Sequence, residues 1–521
     1  MQLFEKFDIH EEDLVTIPVS KEYLNWQLEL FDSGIPAIEL TSAATYNNGI
    51  RISDEEFSEE DNSLFEKAKN AGRISSFIPA SGAASRMFKK LEVFVSEHQN
   101  IDIHSLRKFA DSGDKEAEYV LKFVENINSF AFFPTLKQTL GAKGIDTDDI
   151  LKSGDVRELV CRVISNSGLG LSNMPKGVIE FHKKDSSRLT PLHEHVYEAL
   201  EFMTDEAGNL NMHFTVSPEH RVMFRNLYQD IKRTDKMSGI NLDISFSIQK
   251  KGTDTIALDL NKNALRDEQG NIMFRPGGHG ALLENLNDLR ADIVVIKNVD
   301  NVSPDELKKL NIKYKKMLIT QLLKFEQKIF HYLELIHEPN VDNKLIDEIK
   351  AFCIDELDIQ RNDYPDNLTI EAKVLYYTRL LNRPLRVCGM VKNEGDPGGG
   401  PFRVKEQIGE SLQIVEASQI NTSDPKQKNI MENSTHFNPV ELVCSLRNFR
   451  GKNFNLLEFR DKNTAFISKK SKMGKELYAL ELPGLWNGAM AKWNTLFFEI
   501  PKATFNPVKE VNDLLKPSHR Y

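Results

Sequence analysis

An α/β fold built on a mostly parallel sheet is the architecture this sequence predicts. Three observations carry it. Short strand-like runs alternate with helical stretches, several runs are apolar along their whole length, and two lead into loops of small residues that open a helix. Continuous apolar runs suit strands covered on both faces, and strand–helix alternation suits parallel pairing.

Taken in order, residues 1–72 read as an acidic helical region with Tyr23, Leu24, Trp26, Leu28, Leu30 and Phe31 as its buried set. The runs Asp54-Glu55-Glu56 and Ser58-Glu59-Glu60-Asp61 suit solvated helix starts, where acids face the positive end of the dipole. Ile74 to Ile78 is then a strand, Ala80-Ser81-Gly82-Ala83-Ala84-Ser85 a loop of tiny residues, and Arg86 the first cation of a helix. Small side chains admit a ligand close to the backbone, and a helix N-terminus favours an anion. The same pattern also serves an ordinary strand–helix turn, where small residues merely allow close packing. A helix-rich insertion, about 91–171, follows; Val120, Phe123, Val124, Ile127 and Phe130 keep helical spacing, and a cap or lid is expected there.

Leu171 to His182 reads as a loop delivering Lys176 and then a strand. On the helix after Pro191, His193 and His195 are two residues apart and do not share a face, so capping or core hydrogen bonding is expected rather than a metal. Strands are expected over 210–216, 242–248 and 255–258, and Pro276-Gly277-Gly278-His279-Gly280 is a second small-residue loop running into a helix. Ala291 to Val302 gives an apolar strand ending near Asp300, an acid at the strand end where such sheets place ligands. Ser303, Pro304 and Glu306 form a capping-box start to a helical insertion, 303–385, whose Met317, Leu318, Leu322, Leu323 and Phe325 predict packing rather than chemistry. The sheet resumes at Arg386–Val391. Gly395 to Phe402 is expected to connect it to the strand 412–416 as a hairpin, with a ligand loop as the alternative. The expected organisation is 1–72 helical, 73–302 and 386–521 the two halves of an α/β domain, and 303–385 a helical insertion.

The chain has 521 residues, 40% hydrophobic and 28% charged, with a formal charge of −10. That balance argues against nucleic acid or an anionic membrane as partner. Cys161, Cys353, Cys388 and Cys444 show no C-x-x-C pairing, which suits a reducing compartment and builds neither a disulfide framework nor a zinc site. Neither a leader-like head nor a run of about 20 apolar residues is visible, so a cytoplasmic protein is expected.

In one order, these pieces resemble the nucleotide-sugar pyrophosphorylases, especially the eukaryotic-type uridylyltransferases that make UDP-N-acetylglucosamine and UDP-glucose. The chain resembles still more closely an uncharacterised bacterial family of unknown function. The family's Ala-Gly-Gly-x-Gly-Thr-Arg-Leu is matched by Ala80-Ser81-Gly82-Ala83-Ala84-Ser85-Arg86-Met87, with Ser81 and Ala84 replacing glycines. Its Leu-Pro-Lys corresponds to Met174-Pro175-Lys176, its Pro-x-Gly-Asn-Gly to Pro276–Gly280 with His279 replacing asparagine, and its Val-Asp-Asn to Val299-Asp300-Asn301. Val-Glu-Tyr becomes Val415-Glu416-Ala417, Asn-Ile-x-x-His-Phe is echoed one residue short by Asn433–Phe437, and Phe-x-Pro-x-Lys is kept as Phe505–Lys509. The resemblance covers about half the chain; the helical insertions have no counterpart in it.

The resemblance implies a Rossmann-like, GT-A-type nucleotide-diphospho-sugar transferase fold. It implies a nucleotidyltransferase that joins a nucleoside triphosphate, UTP by the likeness of the 276–280 stretch, to a sugar 1-phosphate. Ala80 to Ser85, with Gln249, Gly278 and His279, would bind the nucleotide; Glu416, Asn433 and His436 the sugar; Arg86, Lys176 and Lys509 would be catalytic, and Asp300 would hold Mg²⁺. Two other readings stay open. One is a glycosyltransferase on the same fold, although Asn301 and Val302 follow Asp300 where an Asp-x-Asp motif is usual. The other is a nucleotide- or sugar-binding protein that has lost catalysis.

Overall fold

The computed structural model describes residues 2–46, 48–52, 57–395, 398–472 and 475–520; the Asp54-Glu55-Glu56 run and Asp396-Pro397 lie outside them. The described chain divides into two compact units. The first comprises 1–77, 247–296 and 316–502, and the second 78–246, 297–315 and 503–521. No helix among the described residues is long and apolar enough to cross a membrane.

The first unit is built on strands in the order Thr45–Tyr46, Gly49–Arg51, Asn494–Glu499, Leu385–Lys392, Glu441–Ser445, Ile293–Lys297 and Ile74–Pro79. Pairing is parallel between Leu385–Lys392 and Asn494–Glu499, between Asn494–Glu499 and Gly49–Arg51, and between Ile293–Lys297 and Ile74–Pro79. Glu441–Ser445 alone in this row is shown antiparallel, with Leu385 facing Ser445. The fold is mixed α/β with a mostly parallel sheet, as the alternation predicts. Its central strands are apolar on both faces: Ile293 to Lys297 is buried throughout, and Leu385 to Val391 likewise. Phe77, Val294, Ile296, Cys388, Leu442 and Phe497 form one apolar cluster.

Three expectations are corrected here. Residues 1–72 are not helical throughout: Leu40–Ala43, Thr45–Tyr46 and Gly49–Arg51 are strands. The first and last of these pair with partners hundreds of positions away, Ala43 with Phe402 and Ile50 with Phe497, which local spacing does not show. The 386–391 strand makes no hairpin with 412–416. The hairpin is instead Gly400–Lys405 with Glu410–Val415, Phe402 facing Gln413. Gly400 to Lys405 alternates apolar and polar residues and so suits a partly exposed hairpin, whereas the two-faced apolar 385–392 run needs cover on both sides. The strand expected after Lys176 begins only at His182, because Lys176–Val178 winds into a single helical turn.

In the second unit, strands Asn209–Thr215 and Asn241–Ser247 accompany the helices of the 91–171 insertion. Met87, Phe88 and Leu91 of helix Ser85–Glu97 share an apolar cluster with Phe123, Leu136 and Val160 of the insertion, and with Val508, Val511 and Leu514 near the C-terminus. This core brings the end of the chain beside the helix that follows the small-residue loop. The long helix Asp305–Leu335 buries Met317, Leu318, Leu322 and Leu323 as expected, but also Lys308, Lys315 and Glu326. It starts at Asp305, two residues after the expected cap Ser303, which is fully buried and accepts from Asn311 Nδ2 and Asn506 Nδ2, each at 3.4 Å.

Candidate functional site

The small-residue loop is held at both ends. Ala80 N–H donates to the Thr215 carbonyl at 2.8 Å, and Ala84 N–H donates to the Met174 carbonyl at 2.8 Å, with Ala83 bridged to Pro175. Ser81, Gly82, Ala83, Ser85 and Arg86 are exposed, while Ala80 and Ala84 are buried. No residue from 80 to 86 has a positive φ, so the backbone asks for no glycine at 81 or 84. The Ala84 side chain joins the apolar cluster beneath the helix, so its Cβ does not add bulk to the exposed side of the loop. Met87 and Phe88 N–H both donate to the Ala84 carbonyl, so the first-turn N–H groups of helix Ser85–Glu97 without an intrahelical partner are those of Ser85 and Arg86.

The bridge to Met174-Pro175 carries Lys176 into place. Its ammonium donates to Asp300 Oδ2 at 2.8 Å and to the Val508 carbonyl at 2.7 Å. The two side chains of the pair are 15% and 20% exposed, so it is largely but not wholly removed from water. Asp300 follows strand Ile293–Lys297 at a turn. Its carbonyl accepts from Val508 N–H at 3.1 Å, Asn301 is bridged to Pro507, and Asn301 Oδ1 accepts from Asn506 N–H at 2.8 Å. The Phe505–Lys509 stretch is thus stitched to the Asp300 turn. The Lys509 side chain is exposed; its ammonium stands 5.9 Å from the centre of the Phe505 ring, and its N–H is held by Asp513 Oδ2 at 2.8 Å. Four stretches distant in sequence, 80–86, 174–176, 300–301 and 505–509, therefore meet within one unit.

A metal must be weighed against these donors. Asp300 Oδ2 is taken by an ammonium and Asn301 Oδ1 by a backbone N–H. Among the described residues no group of three or more His, Cys, Asp or Glu could hold an ion. One carboxylate suits a magnesium carried in on phosphates, which supply most of its oxygens, and not a resident ion.

The other expected contacts lie in the first unit. Gly278 has φ of +79°, and a Cβ on it would come 2.3 Å from Glu481 Oε2; a Cβ on Gly280 would come 2.1 Å from the Pro483 carbonyl oxygen. The left-handed backbone at Gly278 and the close approach of Gly280 to the 482–483 backbone therefore already account for these two glycines. His279 emerges from that contact stacked on Trp486, ring centres 4.3 Å apart, with Nδ1 accepting from Leu485 N–H at 3.0 Å. Its Nε2 is 3.8 Å from Glu416 Oε1, too long for a hydrogen bond, while Asn487 Nδ2 donates to the same oxygen at 2.9 Å. His279, together with the Asn487 amide, holds the Glu416 carboxyl below the usual range against the opposing pull of burial.

Glu416 and His436 line one cavity of about 470 Å³, with Ser434 and Asn393. His436 is buried and burial keeps its imidazole below the usual range. Asn433 is not brought to that cavity wall: it is exposed and turns back to the Asn429 carbonyl at 2.8 Å, as a helix-end residue does. Gln249 lies just beyond strand Asn241–Ser247, its Nε2 3.4 Å from Asp254 Oδ1.

Sequence reasoning passed over a buried ionic group on helix Pro191–Met203. Glu198 takes Lys297 at 3.1 Å and Lys315 at 2.7 Å, and Glu194 takes Lys308 at 2.7 Å, all nearly without exposure. A signal existed: Glu194 and Glu198 fall one turn apart on a helix otherwise apolar at Leu192, Val196, Ala199 and Phe202. As the spacing argument expects, His193 completes a capping box with Thr190, and His195 Nε2 is bonded in the core to the Val299 carbonyl at 3.0 Å.

The family model described as "Domain of unknown function (DUF4301)" matches residues 9–520. No curated protein matches the chain. Among solved structures, the uridine diphosphate N-acetylglucosamine pyrophosphorylase of Trypanosoma brucei is 12% identical, with a TM-score of 0.45 over 94% of this chain and 74% of that one. A UDP-glucose pyrophosphorylase mutant of Leishmania major in complex with UDP-glucose is 11% identical, with a TM-score of 0.44 over 99% of this chain and 78% of that one. A UDP-glucose phosphorylase of Trypanosoma brucei is 12% identical, with a TM-score of 0.44 over 97% and 76%.

Proposed function

The chain belongs to the family described as Domain of unknown function (DUF4301), and we propose that it is a nucleotidyltransferase joining a nucleoside triphosphate, UTP first, to a sugar 1-phosphate. The observation that supports this reading is the meeting of the 80–86 loop, Lys176, Asp300 and the Phe505–Lys509 stretch in one compact unit.

The chemistry is an in-line displacement. A phosphate oxygen of the sugar 1-phosphate bonds to the α-phosphorus as the bond to the bridging oxygen breaks, and pyrophosphate leaves with the electron pair. Alignment and charge neutralisation carry such a reaction. The N–H groups at the start of helix Ser85–Glu97 and the Arg86 guanidinium would hold the departing pyrophosphate. Lys176, oriented by two acceptors, would meet charge growing on the α-phosphate, and Lys509 would bind on the sugar-phosphate side. Asp300 would hold a magnesium, which when bound neutralises phosphate charge. The sugar phosphate is already ionised, so no general base is required. His279, Gly278 and Gln249 are proposed for the base, and Glu416 and His436 for the sugar; Asn433, turned to its own helix, would have to reorient to join them.

Release of pyrophosphate, measured across four nucleoside triphosphates and a panel of sugar 1-phosphates, tests the proposal. Turnover with UTP and at least one sugar phosphate is expected. Nucleotide binding without turnover on any pair would replace it with a binding role, which the mutual neutralisation of Lys176 and Asp300 favours as the second reading. Release of free nucleoside diphosphate from a nucleotide sugar would replace it with glycosyl transfer.

A further inference from the structure

The mechanism above leaves unused a fully buried chain of titratable groups in the second unit. Glu194 Oε1 stands 2.7 Å from His182 Nδ1, and His182 Nε2 stands 3.0 Å from His519 Nδ1. The three residues are 1%, 1% and 3% exposed. Lys308 fixes the other oxygen of Glu194 at 2.7 Å. The proton positions follow from the network. A carboxylate can only accept, so His182 donates through Nδ1. A buried N–H without an acceptor costs more than a buried lone pair without a donor, so the His519 proton sits on Nδ1, donating to His182 Nε2, and His519 Nε2 is left bare. That nitrogen is buried without a hydrogen-bond partner among the described residues.

His519 ends the segment that carries Val508 and Lys509. Asn506 and Ser518 close this segment on itself: Asn506 Nδ2 donates to the Ser518 carbonyl and Ser518 Oγ donates to Asn506 Oδ1, both at 2.7 Å. Asn506 N–H in turn holds Asn301. The neighbouring residue on the same helix, His195, holds the Val299 carbonyl just before Asp300. Glu194 and His195 thus reach, through hydrogen bonds and the Ser518–His519 backbone, the two stretches that meet at Lys176.

We propose that His519 is a positioning residue. The Glu194–His182–His519 chain sets the register of the C-terminal segment against the Asp300 turn, and so places the Val508 carbonyl and Lys509. This rests on reading Lys176, Asp300 and Lys509 as the site.

Two measurements on the full chain test it, and neither needs turnover, so the proposal and the nucleotidyl-transfer reading fail separately. Long-range ¹H–¹⁵N spectra of the histidine rings at neutral pH should show His182 and His519 both carrying their proton on Nδ1; a proton on His519 Nε2 with Nδ1 bare overturns the proposal. In His519→Ala, amide exchange should quicken about tenfold or more over 503–515 and 299–302, as expected for loss of one buried hydrogen bond to a charged chain, and stay unchanged over 209–215. Added imidazole should reverse it, and His519→Phe, which keeps the ring's bulk but not its bonds, should behave as His519→Ala does. Unchanged exchange over 503–515, uniform quickening of the whole chain, or wild-type behaviour of His519→Phe would each overturn it. If His519→Ala does not fold, the ring spectra of the wild-type protein decide alone.

Discussion

Replacing Lys176 by methionine separates a catalytic cation from a structural one. The substitution keeps most of the stem and removes the ammonium, so Asp300 Oδ2 and the Val508 carbonyl each lose a donor. The pair is partly reached by water, which places the stability cost at about 1–3 kcal/mol rather than that of a fully buried charge. In thermal melts that is a fall of about 2–4 °C per kcal/mol for a unit of roughly 200 residues. A preorganised cation that meets charge growing in the transition state is worth more, about 10²- to 10³-fold in turnover. Lys176→Met is therefore expected to lose turnover out of proportion to its melting temperature. Asp300→Asn should lose a similar amount of stability, and the double variant should recover part of it, with a coupling of about 1–2 kcal/mol because the two groups touch. Pyrophosphate release and melting curves on the four proteins of this cycle decide the matter. Turnover reduced less than tenfold, with melting temperature falling as calculated, would mean that Lys176 only ties the C-terminal segment to the Asp300 turn. Additive losses in the cycle would mean that the pair does not couple at all.

Three further outcomes follow from the geometry. Gly280→Ala places a Cβ against the Pro483 carbonyl and should cost about 2 kcal/mol or more and shift the ring environment of His279, read by melting and by histidine resonances. Ala84→Gly should destabilise by about 1 kcal/mol without tightening binding of pyrophosphate, because the lost methyl faces the apolar cluster rather than the exposed side of the loop; calorimetry with pyrophosphate reads both parts. His193 and His213 are each lowered from 6.5 to about 4 by burial. The unfolded chain therefore takes up these protons first, so the contribution of these two residues to stability is constant above about pH 6.5 and is lost as pH falls from 6.5 to 4, by up to about 3 kcal/mol per residue. His213→Gln should flatten that slope in melts taken from pH 7 to pH 4.5, and an unchanged slope would remove His213 from the account.

Much of the fold was legible because it is written in local periodicity. Strand Ile74–Pro79, the small-residue loop and helix Ser85–Glu97 follow one another where hydrophobic pattern and residue size put them. Strand Ile293–Lys297 is recognisable from a run that is apolar on both faces. The hairpin after residue 392 was not legible, because pairing is a choice among distant partners: the 385–392 strand is claimed by Asn494–Glu499 and Glu441–Ser445. Asn433 matched a motif by its neighbours in sequence, yet its amide is captured one helical turn away by Asn429. For Gly280, residue type was legible but the reason was not, since the 482–483 backbone it admits lies some two hundred positions along the chain.

By itself the sequence determined the strand Ile74–Pro79, the small-residue loop and the helix Ser85–Glu97 after it, and which cations stand beside that loop, since each depends on residues a few positions apart. Only the tertiary structure decided which charges meet. Helical spacing turns Lys308, Lys315 and Glu326 into residues without an obvious place, and burial becomes tolerable only because Glu194, Glu198 and Arg73 arrive from elsewhere to pair them. Lys176 shows the same division: its residue type and loop are local facts, while its partners Asp300 and Val508 lie 124 and 332 positions away. A charge removed from water must find its counter-charge within a few ångströms, and that distance is set by the packing of the whole unit.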